Sequence, residues 1–122
     1  MLLDIDNPVI QLCLAGTQAE FDGRYADAQA RYQEAWAAAA DDFEACVAAH
    51  YVARVQNDVE AALHWNQVAL DRANAAGDGR VQPFYPSLYL SLGRACELAG
   101  RQAEAAKYYG LAADLGFPHQ PD

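Results

Sequence analysis

Strand-forming residues are scarce in this sequence of 122 residues, which carries one threonine, Thr17, and two isoleucines, Ile5 and Ile10. No stretch sustains an alternation of apolar and polar side chains, so a sheet-based fold is disfavoured and an all-α class is expected. Long apolar runs are missing too; none approaches the ~20 residues needed to cross a bilayer. The opening Met1-Leu2-Leu3-Asp4-Ile5-Asp6 has no basic segment and sets acids where a secretory signal carries apolar residues. Cysteine is limited to Cys13, Cys46 and Cys96, an odd number, far apart and without a CxxC pair. They read as reduced thiols acting as small hydrophobes, and a cytoplasmic protein is expected.

Basic residues are few, 8 against 17 acids, for a net charge of −9. A field of that sign repels phosphate, which argues against nucleic acid and anionic membranes as partners. The acidity also serves simply to keep a compact chain in solution. Catalytic signatures are equally thin: there is no Gly-rich phosphate loop, no HExxH and no nucleophile elbow. Cys46 and His50 share a helix face at metal-ligand spacing, but two ligands do not make a site, and core packing is expected for both. His64 is expected on an exposed face and His119 in the tail. No enzyme activity, metal or cofactor is expected.

What the chain has is alanine. It accounts for much of the 53% apolar content, and its high helix propensity and small side chain favour helices that approach closely. Sliding the chain along itself reveals a repeat. Leu12, Ala15, Gly16 and Ala19, followed by Gly23, Ala28, Tyr32 and Ala35, superpose on Cys46, Ala49, His50 and Ala53, followed by Asn57, Ala62, Asn66 and Ala69. They superpose again on Tyr89, Leu92, Gly93 and Cys96, followed by Gly100, Ala105, Tyr109 and Ala112. The first step is 34 residues and the second 43, so one connection carries nine extra.

These positions resemble the tetratricopeptide repeat, whose unit reads W-x2-L-G-x2-Y…A-x3-F…P. The third copy follows it through Tyr89, Leu92, Gly93, Ala105 and Tyr109. The first keeps Gly16, Ala28 and Tyr32. The second departs most, with His50 in the glycine slot and Asn66 in the aromatic slot. The lengthened second copy resembles the 42-residue variant of the repeat. The resemblance implies one domain, a right-handed α-α superhelix of three antiparallel helix pairs over about 8–41, 42–82 and 83–116, with a tail at 117–122.

The residues support that organisation independently. One helix pair cannot bury its apolar face alone, so several stack. Expected helices run from Pro8 to about Asp22, Tyr25 to Ala39, Asp42 to Gln56, Val59 to Ala76, Pro83 or Pro86 to Ala99, and Gln102 to Leu115. Asn7 caps the first helix, with Pro8 at its first position. Gly23, Asn57 and Gly100 fall at turns that suit a left-handed residue. Small residues, Gly16 with Ala28 and Gly93 with Ala105, mark where helices nearly touch. Tyr25, Tyr32 and Tyr109 are expected to fill space between pairs. Asp27 with Arg31 and Glu104 with Lys107 are expected surface pairs. Trp36, Trp65, Tyr85, Tyr108 and Phe117 are either wedges between pairs or interface aromatics.

In tetratricopeptide arrays the first helix of each pair lines a concave groove that takes a partner peptide or helix. The resemblance therefore implies groove positions at Ile10, Cys13, Thr17 and Glu20, at Glu44, Val47, Tyr51 and Arg54, and at Ser87, Leu90, Arg94 and Glu97. Cys13, Val47 and Leu90 would form an apolar floor, and Tyr51, Arg54 and Arg94 are the expected anchors. Members that bind the acidic C-terminal tail of chaperones clamp its carboxylate with Lys, Asn and Arg. The matching Cys13, Thr17, Ala48, Ser87 and Ser91 carry no charge, so that partner is not expected. The end of the array suggests an alternative. Little sequence follows the third pair to cap Leu111, Leu115 and Phe117, which suits a structural or adaptor subunit that self-associates there.

Overall fold

The structure, a computed structural model, describes residues 6–118. Six α-helices follow one another: α1 Pro8–Phe21, α2 Tyr25–Ala38, α3 Asp42–Arg54, α4 Val59–Ala76, α5 Tyr85–Leu98 and α6 Gln102–Asp114. A short 3-10 turn, Gln82–Phe84, precedes α5. Among the described residues there is no strand, and no helix is long and apolar enough to cross a membrane. His119 and the segment Met1–Ile5 lie outside the described residues.

Local chemistry starts each helix. Asn7 accepts hydrogen bonds from the amides of Val9 at 2.8 Å and Ile10 at 3.3 Å, satisfying donors that no earlier turn can reach. Asp41 caps α3 through the Glu44 amide at 2.8 Å, while Glu44 turns back to accept from the Ala40 amide at 2.8 Å. Asp58 caps α4 through the Ala61 amide at 3.2 Å. The turns of the outer pairs match each other. Gly23 at φ 79° and Gly100 at φ 80° let the next amide bond back to the helix, Arg24 to the Ala19 carbonyl and Arg101 to the Cys96 carbonyl, each at 2.8 Å.

The middle turn differs from expectation. Asn57 is not left-handed; among the described residues only glycines have positive φ. Instead α3 ends at Arg54, and Val55 and Gln56 tighten its end by bonding three residues back to Val52 and Ala53. Two other expectations are corrected. Tyr25 is 67% exposed at the first turn of α2, too far out to fill a space between pairs. Lys107 forms no ion pair with Glu104, which bonds Arg101, and lies over the Tyr108 ring at 5.2 Å. The Asp27–Arg31 pair is present at 3.9 Å.

Helices pack as antiparallel neighbours, α1 with α2, α3 with α4 and α5 with α6, and the pairs stack in sequence through α2 on α3 and α4 on α5. This is a helical-hairpin superhelix. The core divides into clusters along the stack: Ile10, Cys13, Ala35, Cys46, Ala49 and Ala69 pack together in the first two pairs, Leu63, Leu92, Cys96, Ala105 and Tyr108 in the last two, and the half-buried Tyr85 packs against both groups. Trp36 of α2 meets Trp65 of α4 edge-on, with centroids 5.1 Å apart, so both serve as wedges between pairs.

Candidate functional site

The first helices of the pairs, α1, α3 and α5, carry the expected groove residues, and the structure treats its two halves differently. Between α1 and α3 the groove is closed. Tyr32 of α2 is fully buried and lies on Gly16, where a Cβ would meet its ring at 2.3 Å. The same ring stacks on Tyr51 of α3 at 5.3 Å. Its hydroxyl donates to Glu20 and sits 3.2 Å from Thr17 Oγ1, while Thr17 donates to the Cys13 carbonyl at 3.0 Å. Arg54 completes the seam by donating from Nε and Nη2 to both Glu20 carboxylate oxygens, at 3.2 and 3.3 Å.

Four expected groove residues are thus engaged within the chain: Glu20 with Arg54, and Thr17, Glu20 and Tyr51 each with Tyr32. Burial by itself would raise the Glu20 carboxyl, but hydrogen bonds from Arg54 and Tyr32 outweigh it and hold it below the ordinary range. Tyr32 is pushed up to about 12, by burial and then by the carboxylate it donates to. The expected apolar floor needs correction. Cys13 is 2% exposed, Val47 3% and Ile10 1%, so they are core residues that a ligand cannot touch. The resemblance implies groove positions for all three, but they pack into the core cluster shared by the first two pairs. Leu90 on α5 remains half-buried.

The third pair repeats part of this arrangement. Tyr109 lies over Gly93, where a Cβ would come within 2.8 Å of its ring, and donates to Glu97 at 3.3 Å.

The second pair inverts it. His50 occupies the glycine slot of α3, and Asn66 the tyrosine slot of α4. Asn66 is short, and its amide turns back to its own helix, donating to the Ala62 carbonyl at 2.9 Å. No ring therefore reaches across to the next pair as Tyr32 does. A cleft of about 410 Å3 opens instead between α3 and α5, lined by His50, Arg54, Asn66, Ser91, Arg94 and Leu98. His50 Nδ1 is buried without a hydrogen-bond partner. Burial and then the nearby Arg54 charge hold the imidazole below its ordinary pKa, in its neutral form near neutrality.

A second cleft, of about 500 Å3, lies between the ends of α1 and α3 and the start of α2, and includes Glu20, Tyr25, Gln29, Arg54 and Gln56. Arg54 and Gln56 border both clefts. At the other end of the chain, Tyr85, Tyr89, Leu111 and Leu115 line a third cleft of about 360 Å3, where Tyr85 donates to Asn74 at 2.7 Å. Leu115 is half exposed there, and Phe117, two residues on, is half exposed as well.

For metal chemistry the described residues supply no group of three or more His, Cys, Asp or Glu. Cys46, at metal-ligand spacing from His50, is buried and its thiol is pushed up to about 12, as is that of Cys13, so neither offers a thiolate. Sequence reasoning placed Arg94 in the groove. It missed Asn66, Ser91 and Leu98 as neighbours of Arg94, although the exchange at slots 50 and 66 was the available signal. Comparison with protein-family models yields no match, and neither the curated proteins nor the solved structures contain one at significant similarity.

Proposed function

We propose that this chain is a three-repeat tetratricopeptide-like module that works without catalysis, binding a peptide or helix of another protein along its concave face. The observation that carries the reading is the open half of the groove. Where α1 and α3 are sealed by Tyr32, Tyr51 and the Glu20–Arg54 pair, the face between α3 and α5 holds an open cleft lined by polar side chains and by Arg94, which has no ion pair among the described residues. A protein that needed this face only for its own stability would gain by closing it as it closes the first half. Three buried, free cysteines suit a reducing compartment, in keeping with action in the cytoplasm.

The test is affinity capture from the native host with the intact chain and with Tyr51→Ala, Arg54→Ala and Arg94→Ala. Partners retained by the intact chain and lost by Arg94→Ala support the reading, provided the variant keeps its helical circular dichroism. Identical capture by all four proteins sinks it.

A second reading rests on a separate surface. The half-exposed Leu115, which lines the Tyr85–Leu111 cleft, and the half-exposed Phe117 that follows α6 favour self-association through the last pair. Sedimentation across a wide concentration range decides it: a dimer disrupted by Leu115→Asp supports it, and a monomer throughout ends it.

A further inference from the structure

We propose that the α3–α5 cleft is a docking site for an acidic segment of the partner, with a partner Asp or Glu carboxylate received by Arg94. The inference rests on the groove reading above and specifies the chemistry of what lies there.

Charge makes the first argument. Arg24, Arg31, Arg54, Arg72, Arg80 and Arg101 all hold carboxylates of the same chain. Arg94 is the one arginine among the described residues with no ion pair, in a chain where acids outnumber bases 17 to 8. It borders a cleft whose other ionisable groups are Arg54 and His50, with no carboxylate in the lining. Glu97, one turn further along α5, accepts from Tyr109 instead. The guanidinium carries five donors in a planar fork, and an incoming carboxylate can take two of them in parallel. Neutral His50, with its unmatched Nδ1, and Ser91 supply polarity without opposing charge.

Shape makes the second. The α3–α5 cleft encloses about 410 Å3, and Leu98, 62% exposed, lines it together with Ala53, Ala62 and Ala95. A lone carboxylate would fill only part of that space. A segment in which an acid is flanked by an apolar residue sets its charge at Arg94 and its apolar side chain against Leu98.

The cleft has an identifiable origin. Restoring glycine at 50 and tyrosine at 66 recreates the pairing of the outer repeats and fills it. That double change, His50→Gly with Asn66→Tyr, closes the site without removing an arginine, whereas Arg94→Gln removes the charge without closing it.

The experiment is selection from a displayed library of random short peptides on the intact chain, Arg94→Gln, Arg94→Glu and the double variant, each first shown to be helical and monodisperse. The expected result is a position enriched in Asp or Glu for the intact chain. The selected peptides then bind about tenfold more weakly to Arg94→Gln. Arg94→Glu selects Lys or Arg at that position, and the double variant loses the peptides. Peptides that bind with no acidic preference, or an acidic preference unchanged in Arg94→Gln and Arg94→Glu, overturn this inference while the groove reading stands. Should no peptide be enriched, both fall. If the double variant does not fold, the two Arg94 variants decide alone.

Discussion

Arg54 on α3 grips both carboxylate oxygens of Glu20 on α1, at 3.2 and 3.3 Å, tying two helices that belong to different pairs. The equivalent residue of the next pair is Glu97, and among the described residues it has no ion pair to Arg54. One arginine thus seals one half of the groove and leaves the other open.

The pair is partly shielded on the Glu20 side, and removing Arg54 leaves that carboxylate with only the Tyr32 hydroxyl. Arg54→Gln should cost about 0.5–1 kcal/mol in urea unfolding at neutral pH. Glu20 titrates below its ordinary value when folded, so its contribution is present above the unfolded carboxyl pKa and is lost as pH falls through the folded one. The difference in midpoint between the intact chain and Arg54→Gln should therefore shrink on acidification below about pH 4. A difference that holds constant into acid would show that the pair contributes nothing.

Gly16 and Gly93 test close packing at two equivalent sites. Alanine gains about 1 kcal/mol of helix propensity over glycine, but a Cβ at 16 meets a fully buried Tyr32 ring at 2.3 Å, whereas at 93 it meets the half-buried Tyr109 at 2.8 Å. Tyr109 can swing outward and Tyr32 cannot. Gly16→Ala should destabilise by roughly 1–3 kcal/mol, and Gly93→Ala should be near neutral. Equal effects in chemical denaturation would contradict the different mobility of the two rings.

His50 gives a pH dependence of its own. Its folded pKa lies below the ordinary 6.5, so the unfolded chain takes up the proton first and stability falls as pH drops below about 6.5 toward the folded value. Replacing it with glutamine should flatten that limb of the stability profile below about pH 6.5. A profile identical to that of the intact chain would mean the imidazole is solvated in the fold.

Trp36 of α2 and Trp65 of α4 meet edge-on between the first two pairs, with ring centroids 5.1 Å apart. Either single change to alanine should cost about 2–4 kcal/mol, and the double-mutant cycle should return a coupling of about 0.5–1.5 kcal/mol. Additive losses would mean that each ring packs on its own surroundings alone.

The cysteines offer a simple probe of burial. With Cys13 and Cys46 thiols pushed up to about 12 and both buried, a thiol reagent at pH 8 should react slowly with the folded chain and fully once it is denatured. Rapid reaction of the native protein would contradict their placement in the seam.

Much of the architecture was legible beforehand because its causes are local. Asn7 before Pro8, the acids before α3 and the turn glycines Gly23 and Gly100 each act within a turn or two of their own position, and the helix ends moved by no more than a few residues. The middle turn was misread because Asn57 suggested a left-handed residue by analogy with Gly23, while the chain ended α3 earlier with tighter bonds. The groove positions came only as an implication of the tetratricopeptide resemblance. It set Cys13 and Val47 beside Thr17 and Arg54, but the packing of the helices buries the first two and leaves half of the Arg54 side chain exposed.

Alanine spacing, capping residues and the thirty-four-residue step were enough to determine six helices in three pairs, since each reports on bonds within a helix or between adjacent ones. The tertiary structure alone decided that Glu20 and Arg54 lock together, that Tyr32 lies between Gly16 and Tyr51, and that a cleft lined by His50, Asn66 and Arg94 opens between α3 and α5. Those outcomes depend on how far side chains reach between helices remote in sequence, and a pattern along one chain carries no measure of that distance.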